Sequence, residues 1–198
     1  GIDEVRFAAT VASTLNLFAG DVGIERIVVG TGINASAITT GTLALNINAS
    51  AMLNSITMIG NSGANSLIGT AYDDVINGEA GIDQLIGGAG NDQLTGGAGN
   101  DLYIMNTSLH HAMGEISDSS GIDELRFSST IADETLVIFA SDIGLERVVI
   151  GTGNSASAVS TAIITLNIDA SLAINGLALI GNAGDNDLLG TAFIDNIS

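Results

Sequence analysis

Gly87-Gly88-Ala89-Gly90-Asn91-Asp92-Gln93-Leu94-Thr95 is followed without a gap by Gly96-Gly97-Ala98-Gly99-Asn100-Asp101-Leu102-Tyr103-Ile104. Both blocks open with glycine, carry aspartate sixth and place an apolar side chain, Leu94 or Tyr103, eighth. Working outward, residues 78–86, 69–77 and 60–68 hold the same frame, with Asp83, Asp74 and Asn65 sixth and Leu85, Ile76 and Leu67 eighth. The frame returns at 181–189 and 190–198, with Asn186 and Asp195 in the sixth slot. Self-similarity at a fixed short period signals stacked units, each too small to bury its own apolar face.

The residue types say what such a unit does. Glycine allows tight turns and positive φ, so carbonyl oxygens converge at the bend. The aspartate after the turn adds a hard anionic oxygen, and Ca²⁺ takes six to eight oxygens at about 2.3–2.6 Å. The triplet around the eighth position forms a short strand with its middle side chain inward. Two blocks of nine then close one turn, and the expected fold is all-β, a parallel β-solenoid. Residues 18 apart stack in that geometry, which sets Asp74 with Asp92 on one edge and Asp83 with Asp101 on the other. Those four aspartates are the first candidate calcium ligands. Asp73, Asp195 and the main chain of Gly87, Ala89, Asn91, Gly96, Ala98 and Asn100 complete the set. The competing reading is a glycine-rich turn array whose aspartates only stabilise loops. Residues 69–77 lack the inner glycines and 78–86 lack one, which makes them less complete sites; Asn65 and Asn186 replace the carboxylate, so the Asn65 and Asn186 turns can fold without their own ion.

Residues 87–95 match in full, and 96–104 nearly so, the glycine- and aspartate-rich nonapeptide of RTX proteins. The chain resembles the haemolysin-type calcium-binding repeat proteins, most strongly over 69–104. The resemblance implies a calcium β-roll, type I secretion in an unfolded state, and folding outside a bacterial cell or at its surface. The stretch from Leu145-Glu146-Arg147-Val148-Val149 to Leu188-Leu189-Gly190 is also similar to the long repeats of giant members.

A second, longer period encloses the first. Gly1-Ile2-Asp3-Glu4-Val5-Arg6-Phe7 returns as Gly121-Ile122-Asp123-Glu124-Leu125-Arg126-Phe127, and Leu45-Asn46-Ile47 as Leu166-Asn167-Ile168, after a one-residue insertion near Asp133. This divides the chain into a unit at 1–120 (solenoid turns 1–59, array 60–104, linker 105–120) and an incomplete unit at 121–198. Outside the array, Leu43, Leu45 and Ile47 alternate, and Ile27-Val28-Val29 and Val148-Val149-Ile150 read as strands buried on both faces. Asn46, Asn48, Asn54, Asn167 and Asn175 are candidates for stacked ladders, and residues 131–140 are the best, weak helix candidate. At 18–20 residues per turn the chain would make roughly ten turns and span about 50 Å. Gly1 matches mid-unit and Ser198 matches Asn77, so either further G-G-x-G-x-D repeats follow or the ends stack on neighbouring copies.

Composition narrows the function. The chain has 22 acids and four bases, all arginine, for a net charge of −18, yet 46% of it is hydrophobic. That combination argues against disorder and asks for a cationic partner. No basic stripe exists for nucleic acid, no apolar run spans a bilayer, and no basic leader opens the sequence. Without cysteine there are no disulfides or thiolate sites. The arginines follow acids closely (Glu4 and Arg6, Glu25 and Arg26, Glu124 and Arg126, Glu146 and Arg147), which points to local ion pairs. His110-His111 reads as solvated linker, and Glu115, Asp118, Asp123 and Glu124 form a further candidate calcium cluster. No nucleophile motif is present and no base is placed to activate a carboxylate, so no enzyme is expected. The expected function is that of a calcium-folded structural segment, a fibre, adhesin stalk or spacer of a secreted or cell-surface protein. The alternative is a folding and secretion module for an enzyme or toxin domain outside this sequence.

Overall fold

A strand of three residues with one inward side chain cannot hold its shape unless neighbours stack on it. In the computed structural model, which describes residues 1–31, 38–153 and 158–198, the chain solves this by coiling. The strands run β1 Glu4–Phe7, β2 Ser13–Asn16, β3 Arg26–Val29, β4 Leu45–Asn48 and β5 Thr57–Ile59. There follow β6 Ser66–Ile68, β7 Val75–Asn77, β8 Gln84–Ile86, β9 Gln93–Thr95 and β10 Leu102–Met105. After one turn of 3-10 helix at Ser108–His110 come β11 Asp123–Phe127, β12 Glu134–Val137 and β13 Leu145–Ile150. The last are β14 Leu166–Asp169, β15 Ala178–Ile180, β16 Leu188–Leu189 and β17 Asn196–Ile197.

Every pairing between these strands is parallel, and alternate strands along the chain go to opposite walls. The fold is an all-β parallel solenoid. One wall is a single nine-stranded sheet in the order β17-β15-β13-β11-β10-β8-β6-β4-β2. The other consists of β1-β3-β5-β7-β9 and, separately, β12-β14-β16. Strand register aligns Leu15, Ile47, Leu67, Leu85, Tyr103, Leu125, Val148, Leu179 and Ile197 into one column through all nine strands. Opposite it stand Val5, Ile27, Met58, Ile76 and Leu94, continued by a bridge to Ile116. Leu67, Leu85, Tyr103 and Leu125 are fully buried, and each such side chain contributes about 1.5–3 kcal/mol of burial.

The solenoid is less regular than a fixed period suggests. Neighbouring strands lie 18 residues apart within the array (Thr57 to Val75, Ser66 to Gln84) but 22 apart from Leu102 to Glu124 and 31 apart from Arg26 to Thr57. The longer turns consume chain, so the longest sheet has nine strands rather than ten and measures about 40 Å at a strand spacing of 4.7–4.9 Å. The weak helix candidate at 131–140 holds β12 instead, with Leu136 buried in it. The extra residue of that region coincides with Asp133 at φ 63, a left-handed position that a short polar side chain tolerates.

Among the described residues, ten strands and the Ile116 bridge, eleven half-turns, come before β11. Because that number is odd, β11 does not take the wall of its sequence counterpart β1. It stacks on β10 in the nine-stranded sheet, and β13, β15 and β17 follow it there.

The arginines do form ion pairs, with partners chosen by strand geometry. Glu4 meets both Arg6 (2.5 Å) and Arg26 (3.3 Å), and Glu124 meets Arg126 (2.5 Å) and Arg147 (3.2 Å). Glu25 lies just before β3, and Glu146 is the residue skipped where the β11–β13 register shifts; neither pairs with the arginine beside it. They accept from the N–H groups of Asp3 and Asp123 instead, at 2.8 Å each. Of the ladder candidates, Asn46, Asn54, Asn167 and Asn175 bond to main chain of another turn, while Asn48 accepts from Ser50 in its own turn. Asn54 donates to the carbonyl of Ile24 (3.0 Å), Asn175 to Leu145 (2.8 Å), and Asn46 accepts from the Ser66 N–H (2.8 Å).

Candidate calcium centre

The first residue of each nonapeptide is glycine because the sixth side chain folds back over it. A Cβ on Gly87 would lie 2.1 Å from Asp92 Oδ2, and one on Gly78 would lie 2.4 Å from Asp83 Oδ2 and 2.7 Å from the Gly96 carbonyl oxygen. The inner glycines serve the stacking of turns. Gly99 has φ +142, and a Cβ there would sit 1.5 Å from the carbonyl oxygen of Gly81 in the turn before. Glycine thus keeps open a cradle into which carboxylate and carbonyl oxygens point together.

The sixth-position aspartates form a ladder along each edge. Asp92 Oδ1 accepts from the Asp74 N–H (2.9 Å), while Asp101 Oδ1 accepts from Asp83 N–H and Asp83 Oδ1 from Asn65 N–H, both at 2.7 Å. Asp74 and Asp92 therefore share one edge, and Asp83 and Asp101 the other. The second oxygen divides the blocks into two classes. In Asp83, Asp92 and Asp101, Oδ2 is fully buried and has no hydrogen-bond partner. A buried carboxylate oxygen left unpaired is costly. Burial accordingly raises these carboxyls from 3.8, to about 8 for Asp83, about 7 for Asp92 and about 6 for Asp101.

In the other blocks the protein satisfies the sixth residue itself. Asp74 accepts from the Thr70 N–H (2.6 Å), the Thr70 hydroxyl (3.0 Å) and the Ile56 N–H (2.8 Å). Asp195 repeats this with Thr191 N–H (2.7 Å), the Thr191 hydroxyl (2.9 Å) and Leu177 N–H (2.9 Å). In Asp195 these bonds outweigh the upward push of burial and hold its carboxyl below the usual value. Asn65 and Asn186 accept from the N–H groups of Asn61 and Asn182 and donate to the carbonyls of Leu45 and Leu166.

The remaining candidates fall in different places. The carbonyls of Gly87 and Gly96 point at Gly69 and Gly78, beside Asp74 and Asp83. The Ala98 carbonyl accepts from Gly81 N–H at 2.8 Å, and Ala89 is half-buried. Asp73, Asn91 and Asn100 are exposed: Asp73 accepts from the Asn91 N–H (2.9 Å), and Asn100 from the Ile122 N–H (3.0 Å).

The acidic cluster of the linker splits. Glu124 belongs to the arginines. Glu115 belongs to His111, which is a buried ion-pair centre rather than part of a solvated linker. Its Nδ1 lies 3.1 Å from Glu115 and its Nε2 3.0 Å from Asp142, and both carboxylates are buried. Burial alone would lower the histidine, but the bonds to Asp142 and Glu115 overcome this and push it up to about 9. Asp142 is 31 residues away in the next turn, and no local pattern connects it to His111. Asp118 and Asp123 instead join Asp101, with ligand atoms of all three within 4.8 Å of one another. Here a sequence signal existed: Gly121-Ile122-Asp123-Glu124-Leu125 is the G-x-D-x-aliphatic core of a nonapeptide, displaced by four residues from the strict period.

The family model of the RTX calcium-binding nonapeptide repeat (4 copies) matches residues 59–81 and 78–104. No curated protein and no solved structure matches the chain. The chain carries RTX repeats, and calcium is the cofactor expected of them. The residues present fit that ion: hard oxygens only, gathered in a glycine-lined cradle, three of them buried without a partner.

Proposed function

We propose that this chain is a calcium-stabilised structural segment of a secreted or cell-surface repeat protein, serving as a fibre, adhesin stalk or spacer. The observation that carries this is the set of buried, unpartnered Oδ2 atoms of Asp83, Asp92 and Asp101. Asp83, Asp92 and Asp101 would hold calcium with carbonyls of adjacent turns, among them that of Gly96 beside Asp83. Asp74 and Asp195 act as turn caps, and Asp73, Asn91 and Asn100 as links between loops. Bound calcium supplies positive charge where the chain has none. The carboxylates repel one another without it, and an ion held only by the folded chain adds its binding free energy to folding. A protein kept unfolded at low calcium and folded outside the cell would use this coupling, which supports an extracellular or bacterial-surface location and a type I route. Among the described residues no helix is long and apolar enough to cross a membrane.

Two units, 1–120 and 121–198, organise the segment, and stacking of further repeats or of a second copy on its open sheet edges is the proposed mode of assembly. No catalytic role is proposed, because the one buried histidine is occupied by two carboxylates. The second reading, a folding module for an enzyme or toxin domain elsewhere, predicts the same calcium chemistry. A calcium titration followed by circular dichroism, with reversal by EDTA, tests both: β structure and melting temperature unchanged by chelation would sink the calcium reading. A stalk stays rod-like and inert alone, whereas a module restores activity to an attached unfolded domain.

A further inference from the structure

We propose that Asp101, Asp118 and Asp123 form a further divalent-cation site, suited to Ca²⁺, at the far end of the array. It deepens the calcium reading, because Asp101 also belongs to the last matched nonapeptide. The turn after the array begins with Asp118 in register with Gly96, as the Ala98–Ser120 bridge and the Leu102–Glu124 pairing fix. Where every other block opens with glycine, this one brings a carboxylate.

Asp101, Asp118 and Asp123 are 2%, 8% and 1% exposed. Among the described residues none of them is in an ion pair with arginine or histidine. The Oδ2 atoms of Asp101 and Asp118 converge on Gly96, at 2.3 and 2.5 Å from where its Cβ would be. Asp101 Oδ2 is buried there without any hydrogen-bond donor. Asp123 Oδ1 accepts from Asp101 N–H at 2.7 Å, continuing the ladder of the array. Asp118 is held in place by four donors: the Tyr103 hydroxyl and Gly97 N–H on Oδ2, and the Ser119 and Ser120 N–H groups on Oδ1. Tyr103 occupies the aliphatic column, and its hydroxyl reaches the site from inside. Like charges this close and this dry must be offset by a proton or a cation, and a cation offsets all three at once. An all-oxygen trianionic set selects Ca²⁺ over metals that prefer nitrogen or sulfur.

Tyr103 makes the test site-specific, because the chain has two tyrosines and no tryptophan. In the Tyr72→Phe chain, Tb³⁺ added as a calcium mimic is sensitised through Tyr103 alone. The expected result is Tyr103-sensitised emission that calcium displaces. Asp118→Asn lowers that emission and weakens its terbium affinity by about tenfold or more. Calorimetry then counts one Ca²⁺ fewer. Asp118→Gly, which restores the glycine of the other blocks, gives the same loss in a turn that still closes. Unchanged ion count and emission in both Asp118 variants, with calcium still folding the array, overturns this site alone. No calcium bound by the unsubstituted chain overturns it together with the reading of the array.

Discussion

Residues 69–77 and 87–95 sit in adjacent turns of the same edge, and each places an aspartate over its opening glycine. In the first, the second residue is Thr70, whose N–H and hydroxyl saturate Asp74. In the second, the equivalent residue is Gly88, and Asp92 keeps one buried oxygen without a partner. The backbone design is shared, but the difference at one side chain separates a turn closed by the protein from a turn left open for an ion. His111 shows a third answer to the same problem. There the buried carboxylates of Glu115 and Asp142 face a cation that the chain itself provides.

The comparison can be broken most directly by exchanging the classes. Asp83→Ala or Asp101→Ala is expected to weaken calcium binding by about tenfold or more. Asp195→Ala should leave affinity unchanged and cost roughly 1–3 kcal/mol in stability. Equal loss of affinity in all three, measured by calorimetry, would erase the distinction. Next in size, His111→Gln leaves two buried carboxylates without their cation and should destabilise the fold by about 3–5 kcal/mol at neutral pH, read from denaturant unfolding with calcium held constant. The native His111 is raised above its unfolded value, so its contribution is complete below about 6.5 and disappears as pH rises through about 9.

The edge aspartates carry a pH signature as well, which burial gives in direction to Asp74 too. Asp83, Asp92 and Asp101 bind protons more tightly folded than unfolded, with pKa values of about 8, 7 and 6 against 3.8. In EDTA the folded chain therefore holds the extra protons, and stability should fall as pH rises from about 4 to about 8. Saturating calcium should flatten or reverse that slope, which melting curves from pH 5 to 9 in both conditions will show. A metal-free fold that gained stability across that range would contradict the open class. Smaller still, Thr70→Val removes a hydroxyl cap and should cost about 1 kcal/mol with no change in calcium affinity. Glu79 sits at φ 78 in the slot held by Gly88 and Gly97 in the next blocks. Glu79→Gly should relieve that strain and stabilise the fold by about 0.5–1 kcal/mol, seen as a raised melting temperature.

The two ladders and the aliphatic columns could be read from the sequence because they depend on spacing alone: glycine first, aspartate sixth, an apolar side chain eighth. What spacing conceals is which carboxylates are already satisfied, and that is decided at the second residue, where Asn61, Thr70, Asn182 and Thr191 close their turns. Asp118 and Asp123 escaped the pattern because a connection of 22 residues shifts the frame while the strand register survives. Glu25 looked paired with Arg26 by adjacency, though its carboxylate reaches the Asp3 N–H and Arg26 meets Glu4 in the neighbouring strand. His111 meets Asp142 only because a turn of the coil brings residues 31 apart together, and local sequence carries no trace of that.

The eleven half-turns before β11 make the molecule two-sided. Chains that repeat a sequence ordinarily show the same profile along one flank, like teeth on a comb. Here the Asn61–Asn65 turn and its counterpart Asn182–Asn186 emerge on opposite flanks, as leaves alternate along a stem. A partner fitted to one copy would meet the second only by approaching from the other side. Two such partners could then occupy the rod together without colliding, which makes an odd count of half-turns a way to space contacts as well as to wind a core.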